Sequence, residues 1–156
     1  MAKEEISSVS AWEITLRTVG GALKVMERDM QDESDLPMTW YDVIINLYFV
    51  PGRRLRMQAL GDALILTRSG VTRLVDRVEA AGLVRREAAV EDRRGYYAIL
   101  TEEGAQTVER VQPIHMKSIE RNVTQYLDAE ECSALYRIMN KIWNGNPLLA
   151  GSADAD

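Results

Sequence analysis

Cysteine and histidine each occur once, as Cys132 and His115. A single thiol excludes an intramolecular disulfide framework and fits a reducing, cytoplasmic compartment. One thiol and one imidazole are too few soft ligands for a dedicated transition-metal site, so neither metal nor other cofactor is expected. No apolar run approaches the roughly 20 residues that span a bilayer, which argues against a membrane partner. The opening MAKEEISSVS is polar and charged where a secretory signal would be apolar. Lysine is missing from residues 53–97, a stretch that holds ten arginines.

That last absence gives the charge its meaning. The chain carries −5 overall, which taken alone disfavours a polyanionic partner. Residues 53–97, however, set their ten arginines against only six acids, while the remainder holds nine bases against eighteen acids. Arginine presents a rigid, permanently charged donor fork that suits phosphates and guanine edges. A basic block inside an acidic protein reads as a surface for a partner; the bland alternative is a solvated charged face.

The apolar spacing predicts mostly helices. Trp12, Leu16, Val19, Leu23, Met26 and Met30 form a seam on a helix over 11–31. "DESDLP" breaks it, and Thr39 is the expected N-cap of a second helix, 40–50, apolar on most sides and closed by Pro51–Gly52. A short helix near 57–65 follows. Thr67 is placed to cap another over 68–81, with Val71, Leu74, Val75 and Val78 inward and Arg68, Ser69, Thr72, Arg73, Asp76 and Arg77 outward. Gly82 fits a left-handed C-terminal cap. "LVRREA" and "YYAIL" read as two strands of a hairpin spanning 83–100. A long helix over about 102–127 is expected to kink or split at Pro113, and Asp128 should cap a last helix burying Leu135, Ile138, Met139 and Ile142. The small, polar residues 147–156 read as a disordered tail.

This order gives a mainly α (α+β) chain, a winged helix-turn-helix flanked by helices whose seams a small module cannot cover alone. One domain is expected over 1–156, with a DNA-binding region over 39–100 and dimerisation helices over 11–31 and 105–144. The outward side of 68–81 suits the major groove. Arg93 and Arg94, at a hairpin tip turned by Gly95, suit the narrow, negative minor groove, with Asp92 orienting one of them. The expected DNA-contacting set is Arg56, Thr67, Arg68, Ser69, Thr72, Arg73, Arg77, Asp92, Arg93 and Arg94. Trp12, Leu16, Trp40, Tyr41, Tyr48 and His115 form a second candidate set, for a small aromatic ligand; their alternative role is core filling.

The stretch TRSGVTRLVDRVEAAGLVRREAAVEDRRGYYAILTEEG, residues 67–104, closely resembles the MarR family of bacterial regulators. It matches the family's recognition helix, Gly-Leu-Val turn, Asp-Arg-Arg wing tip and Leu-Thr-x-x-Gly start of the next helix. The rest of the chain matches in length and helix order. The resemblance implies a triangular homodimer with intertwined terminal helices, binding palindromic operators in double-stranded DNA and often released by aromatic or phenolic ligands. Repression is the expected sense of regulation. Members that sense peroxides carry a cysteine near the N-terminus, whereas Cys132 lies late in the chain. Two rivals remain. Ser69 or Ser118 with His115 could make a nucleophile, but no strand-turn-helix elbow or glycine-rich phosphate loop accompanies them, so no enzyme is expected. A winged module used only for protein contacts is the other, separable by the salt dependence that phosphate binding imposes.

Overall fold

The computed structural model describes residues 6–64, 68–89 and 95–146, with only the backbone of Arg68. Ser7 accepts from the Ser10 amide and starts α1, Ser8–Ser34. The helix runs through Asp32 and Glu33 of the expected break and stops at Asp35, which takes a left-handed conformation with φ 53°. Gln31 closes this turn, its carbonyl accepting from the Asp35 amide and its side chain donating to the Asp35 carboxylate at 2.7 Å. Helix α2 spans Met38–Tyr48. Its N-cap is Pro37 rather than Thr39, because the Pro37 carbonyl already accepts from the amides of Trp40 and Tyr41. Proline has no amide to leave unpaired there, and Thr39 stands exposed in the first turn.

A 3-10 turn, Pro51–Arg53, leads into a strand that the residue pattern did not announce, β1, Arg54–Arg56. Its one apolar residue, Leu55, is too little for an alternation signal. Helices α3, Met57–Ala63, and α4, Arg68–Ala80, follow. Helix α4 ends at Gly82, φ 77°, where the Leu83 amide donates back to the Val78 carbonyl and the Gly82 amide to that of Glu79. This paired closure needs a left-handed residue, which explains the glycine. Strands β2, Val84–Ala88, and β3, Tyr96–Leu100, form the expected hairpin, and β1 pairs with the far edge of β3.

Helix α5, Glu102–Asn122, remains one helix through Pro113 instead of splitting there. A 3-10 turn, Thr124–Tyr126, precedes α6, Ala129–Gly145, started by a capping box between Asp128 and Glu131. At the head of α5, Thr101 accepts from the Gly104 amide while its hydroxyl donates to the carbonyls of Gly82 and Leu83. Gly104 packs so close to the Leu83 carbonyl that a side chain there would collide with it. The Leu-Thr-x-x-Gly motif is thus the joint between α5 and the root of the hairpin.

One core joins α2, α3, α4, the sheet and the first half of α5, centred on Ile44, Leu47, Leu60, Val75, Val78 and Val108, all fully buried. The α1 seam is covered only from Met26 onward, where α1 packs on α5. There Asp29 receives hydrogen bonds from Ser118 at 2.7 Å and Asn122 at 2.9 Å. The Ser118 bond, more than any other contact, holds the Asp29 carboxyl below its usual pKa; Asn122 and Arg121 reinforce this against the effect of burial. The residues expected to be buried on α6 are exposed in the protomer: Leu135, Ile138 and Ile142 at 41%, 55% and 48%. Among the described residues, no other helix or strand packs extensively against α6.

Candidate nucleic-acid interface

Helix α4 divides cleanly. Val71, Leu74, Val75 and Val78 are buried, and Ser69, Thr72, Arg73, Asp76 and Arg77 are exposed. Spacings of three and four residues place the polar set along one side, next to the hairpin. Thr67, Asp92, Arg93 and Arg94 lie outside the described residues, as does the side chain of Arg68.

The arginines expected to act as one surface are sorted by the fold. Arg86 turns toward α4, where its guanidinium meets Glu79 at 2.6 Å and Asp76 at 2.7 Å. Burial works against its charge, but the bonds to Glu79 and Asp76 outweigh burial and raise its pKa. Arg85 pairs with Glu87 at 2.7 Å. Among the described residues, Asp76, Glu79 and Glu87 are in ion pairs with Arg85 and Arg86, so they leave less uncompensated negative charge beside α4. Arg54 and Arg56 both lie over the Tyr97 ring, 4.7 and 5.1 Å from its centroid. Arg56 thus occupies the end of β1, not a helix face, with its planar cation stacked on an aromatic. Arg53 sits over Tyr48 at 5.0 Å. Arg73 and Arg77 remain on the exposed side of α4.

The aromatic set comes together in part. Tyr41 is buried and its ring centroid lies 4.9 Å from that of His115. Burial lowers the His115 pKa and so disfavours the charged ring, and its buried Nδ1 has no hydrogen-bond partner among the described residues. Burial raises the Tyr41 pKa, with the Asp42 carboxylate adding to it. Two turns along α2, the Tyr48 hydroxyl donates to Glu109 at 3.0 Å. Pairing of Tyr41 with His115 and of Tyr48 with Glu109 shows that α2 and α5 run antiparallel. Trp40 is half-buried against the core. Trp12 and Leu16 do not join this group within the protomer: they stand 57% and 53% exposed. Trp12 lies about 21 Å along α1 from Met26, where coverage of that helix begins. Ser118 gives its hydroxyl proton to Asp29, which leaves it unpaired with His115. Cys132 is half-exposed, and among the described residues no group of three acids, histidines or cysteines could hold a metal. No helix among them is long and apolar enough to cross a membrane.

A family model described as "MarR family" matches residues 34–95. The crystal structure of Sco3205 in complex with DNA, a MarR family transcriptional regulator from Streptomyces coelicolor, superposes with a TM-score of 0.82 at 31% identity. That match covers 94% of this chain and 89% of the other. The chain belongs to the MarR family. AbsC, another MarR family regulator from S. coelicolor, gives a TM-score of 0.80 at 32% identity, covering 90% and 95% of the two chains. Among curated relatives, the HTH-type transcriptional regulator YkoM of Bacillus subtilis is 32% identical over 78 residues, half the length of either chain. NadR in complex with 4-hydroxyphenylacetate shares the fold alone, with a TM-score of 0.67 at 20% identity over 91% of this chain and 96% of that one. Sco3205, AbsC and YkoM are described as transcriptional regulators, not enzymes. The third strand, the α4–β2 ion pairs and the Asp29 network were absent from the sequence-based expectations: the first and last join residues far apart along the chain, and the ion pairs depend on how the Gly82 turn folds β2 back along α4.

Proposed function

We propose that this MarR family member is a cytoplasmic repressor that reads an inverted-repeat operator in double-stranded DNA as a homodimer. The observation that carries the reading is the exposed polar side of α4, with Ser69, Thr72, Arg73 and Arg77, beside the β2–β3 hairpin; the sequence that joins these two strands includes Arg93 and Arg94. In this reading α4 enters the major groove, the hairpin tip enters the flanking minor groove, and Arg56, Thr67, Arg68 and Asp92 complete the DNA-contacting surface. The uncovered apolar sides of α1 and α6 favour a dimer, because a lone protomer would leave Trp12, Leu16, Leu135, Ile138 and Ile142 against water. A small aromatic or phenolic ligand is the proposed release signal. It would lodge near Tyr41, Trp40, Tyr48 and His115, with Trp12 and Leu16 supplied across the dimer. The burial that disfavours a charged His115, and an Nδ1 without a hydrogen-bond partner among the described residues, favour hydrogen bonding to a phenol over pairing with a carboxylate.

The experiment is sedimentation of the pure protein, followed by enrichment of bound duplexes from a random-sequence pool. A dimer at micromolar concentration should enrich an inverted repeat with half-sites about 10 base pairs apart, and binding should weaken steeply with salt. Titration with 4-hydroxyphenylacetate and salicylate should release the enriched duplex and change tryptophan fluorescence. A monomer that enriches no sequence would overturn the reading, and binding indifferent to salt would favour a protein-contact module.

A further inference from the structure

Between the end of α4 and the start of β2 lie only Ala81, Gly82 and Leu83, a short turn built on one left-handed glycine. The backbone bonds that close the turn and the Thr101 bonds at its end fix where the hairpin begins, while the strands beyond need a further tie to α4. Arg86 spans the turn. Its backbone amide donates to Glu79 Oε1 at 2.8 Å, and its Nε donates to Glu79 Oε2 at 2.7 Å. One Nη reaches the same Glu79 oxygen at 2.6 Å, and the other reaches Asp76 Oδ1 at 2.7 Å. Glu79 thus holds both the main chain and the side chain of a single residue, and two acids one turn apart on α4 share one planar cation. An isolated surface ion pair contributes little, but a half-buried guanidinium held from three sides fixes both distance and angle.

We propose that Arg86 is a positioning residue that locks the hairpin at a fixed inclination to α4, so that one duplex can meet both elements at once. This rests on the DNA-reading function above. The consequence is contrary to simple electrostatics. Asp76 and Glu79 are carboxylates on the helix that faces DNA, so charge alone says that removing either should strengthen binding. If they act through Arg86, removing them weakens the recognition of one particular sequence. Phosphate contacts made by other arginines are left intact.

The test uses the full-length protein and two probes: a duplex enriched by the wild type from a random pool, and a random-sequence duplex of equal length. Glu79→Gln should lose about tenfold in affinity for the enriched duplex, the scale of one good base contact. Its affinity for the random duplex and its salt dependence should stay at the wild-type level. Arg86→Lys keeps the charge but not the fork and should behave the same way. Asp76→Asn, which leaves the Glu79 bonds in place, should lose less. Loss of folded protein would instead weaken both probes in parallel, and melting temperatures measured alongside separate that case. Equal or tighter binding of the enriched duplex by Glu79→Gln, or a parallel loss on both probes, would overturn the positioning role. A wild-type protein that enriches no sequence would overturn the DNA-reading function along with it.

Discussion

Replacing Gly104 with alanine pits two physical effects of opposite sign against each other. Gly104 lies in the first turn of α5, and helix propensity alone says that alanine there should stabilise the protein by about 1 kcal/mol. The packing says otherwise. A Cβ would collide with the Leu83 carbonyl oxygen, lie 3.1 Å from the Leu83 carbonyl carbon and 2.6 Å from Leu100 Cδ1. Ordinary contacts between carbon and a carbonyl oxygen begin near 3.3 Å, so helix and hairpin root must separate by about 1 Å. Overpacking on this scale costs about 1–3 kcal/mol. The separation also breaks the bonds from the Thr101 hydroxyl and amide to Leu83, at about 1 kcal/mol each. Net of the propensity gain, Gly104→Ala should destabilise by about 2–4 kcal/mol, lowering the melting temperature by about 10 °C. The assay is thermal unfolding followed by circular dichroism at fixed protein concentration, with Gly21→Ala as the control. A Cβ at Gly21 meets nothing in the protomer, so that variant should melt at or above the wild type. A Gly104→Ala protein as stable as the wild type would refute the account of the Leu-Thr-x-x-Gly motif as a close-contact joint.

The remaining predictions concern charge. Because the Asp29 carboxyl is held below its usual pKa by Ser118, Asn122 and Arg121, its contribution is complete above about pH 4 and fades as pH falls through its lowered value. Asp29→Asn should therefore reduce stability at pH 7 by about 1–2 kcal/mol, with the gap from wild type narrowing below pH 4 in urea denaturation; a gap that widens there would reverse the assignment. Arg73→Ala should lose about 1–3 kcal/mol on the enriched operator and blur preference at one position per half-site. Arg94→Ala should instead weaken binding to most duplexes and flatten the salt dependence, and unchanged affinity across a salt series would remove the hairpin tip from the interface.

Much of this was legible because helical spacing is local. The inward set Val71, Leu74, Val75 and Val78 and the glycine cap at Gly82 follow from residues one or two turns apart, and the structure has both. What escaped depends on where the folded backbone puts each residue's partner. Arg54–Arg56 becomes a strand only because β3 supplies hydrogen-bond partners more than forty residues later. Arg86 counted only as one of ten arginines in the basic block until the turn at Gly82 brought it against Glu79. Thr39 had the better capping side chain, yet the Pro37 carbonyl was already in position. The apolar seam of α1 and the apolar side of α6 were correctly read as apolar. They were also read as more than a small winged module covers alone, and Leu135, Ile138, Met139 and Ile142 stand exposed in the protomer.

Helix α5 has one further mechanical consequence. Its first turn is wedged against the hairpin root at Leu83, and its last turns are bound to α1 through Ser118 and Asn122. The helix is unbroken between them, about 27 Å from Gly104 to Asn122. Such a rod works as a lever. A tilt of about 10° about the Asn122 end swings the Gly104 end by roughly 5 Å over that length, more than the ~3.4 Å rise of one base pair. A small rearrangement where α1 and α5 meet is thereby magnified to the size of a full step along a duplex, with no need for the winged region itself to change shape.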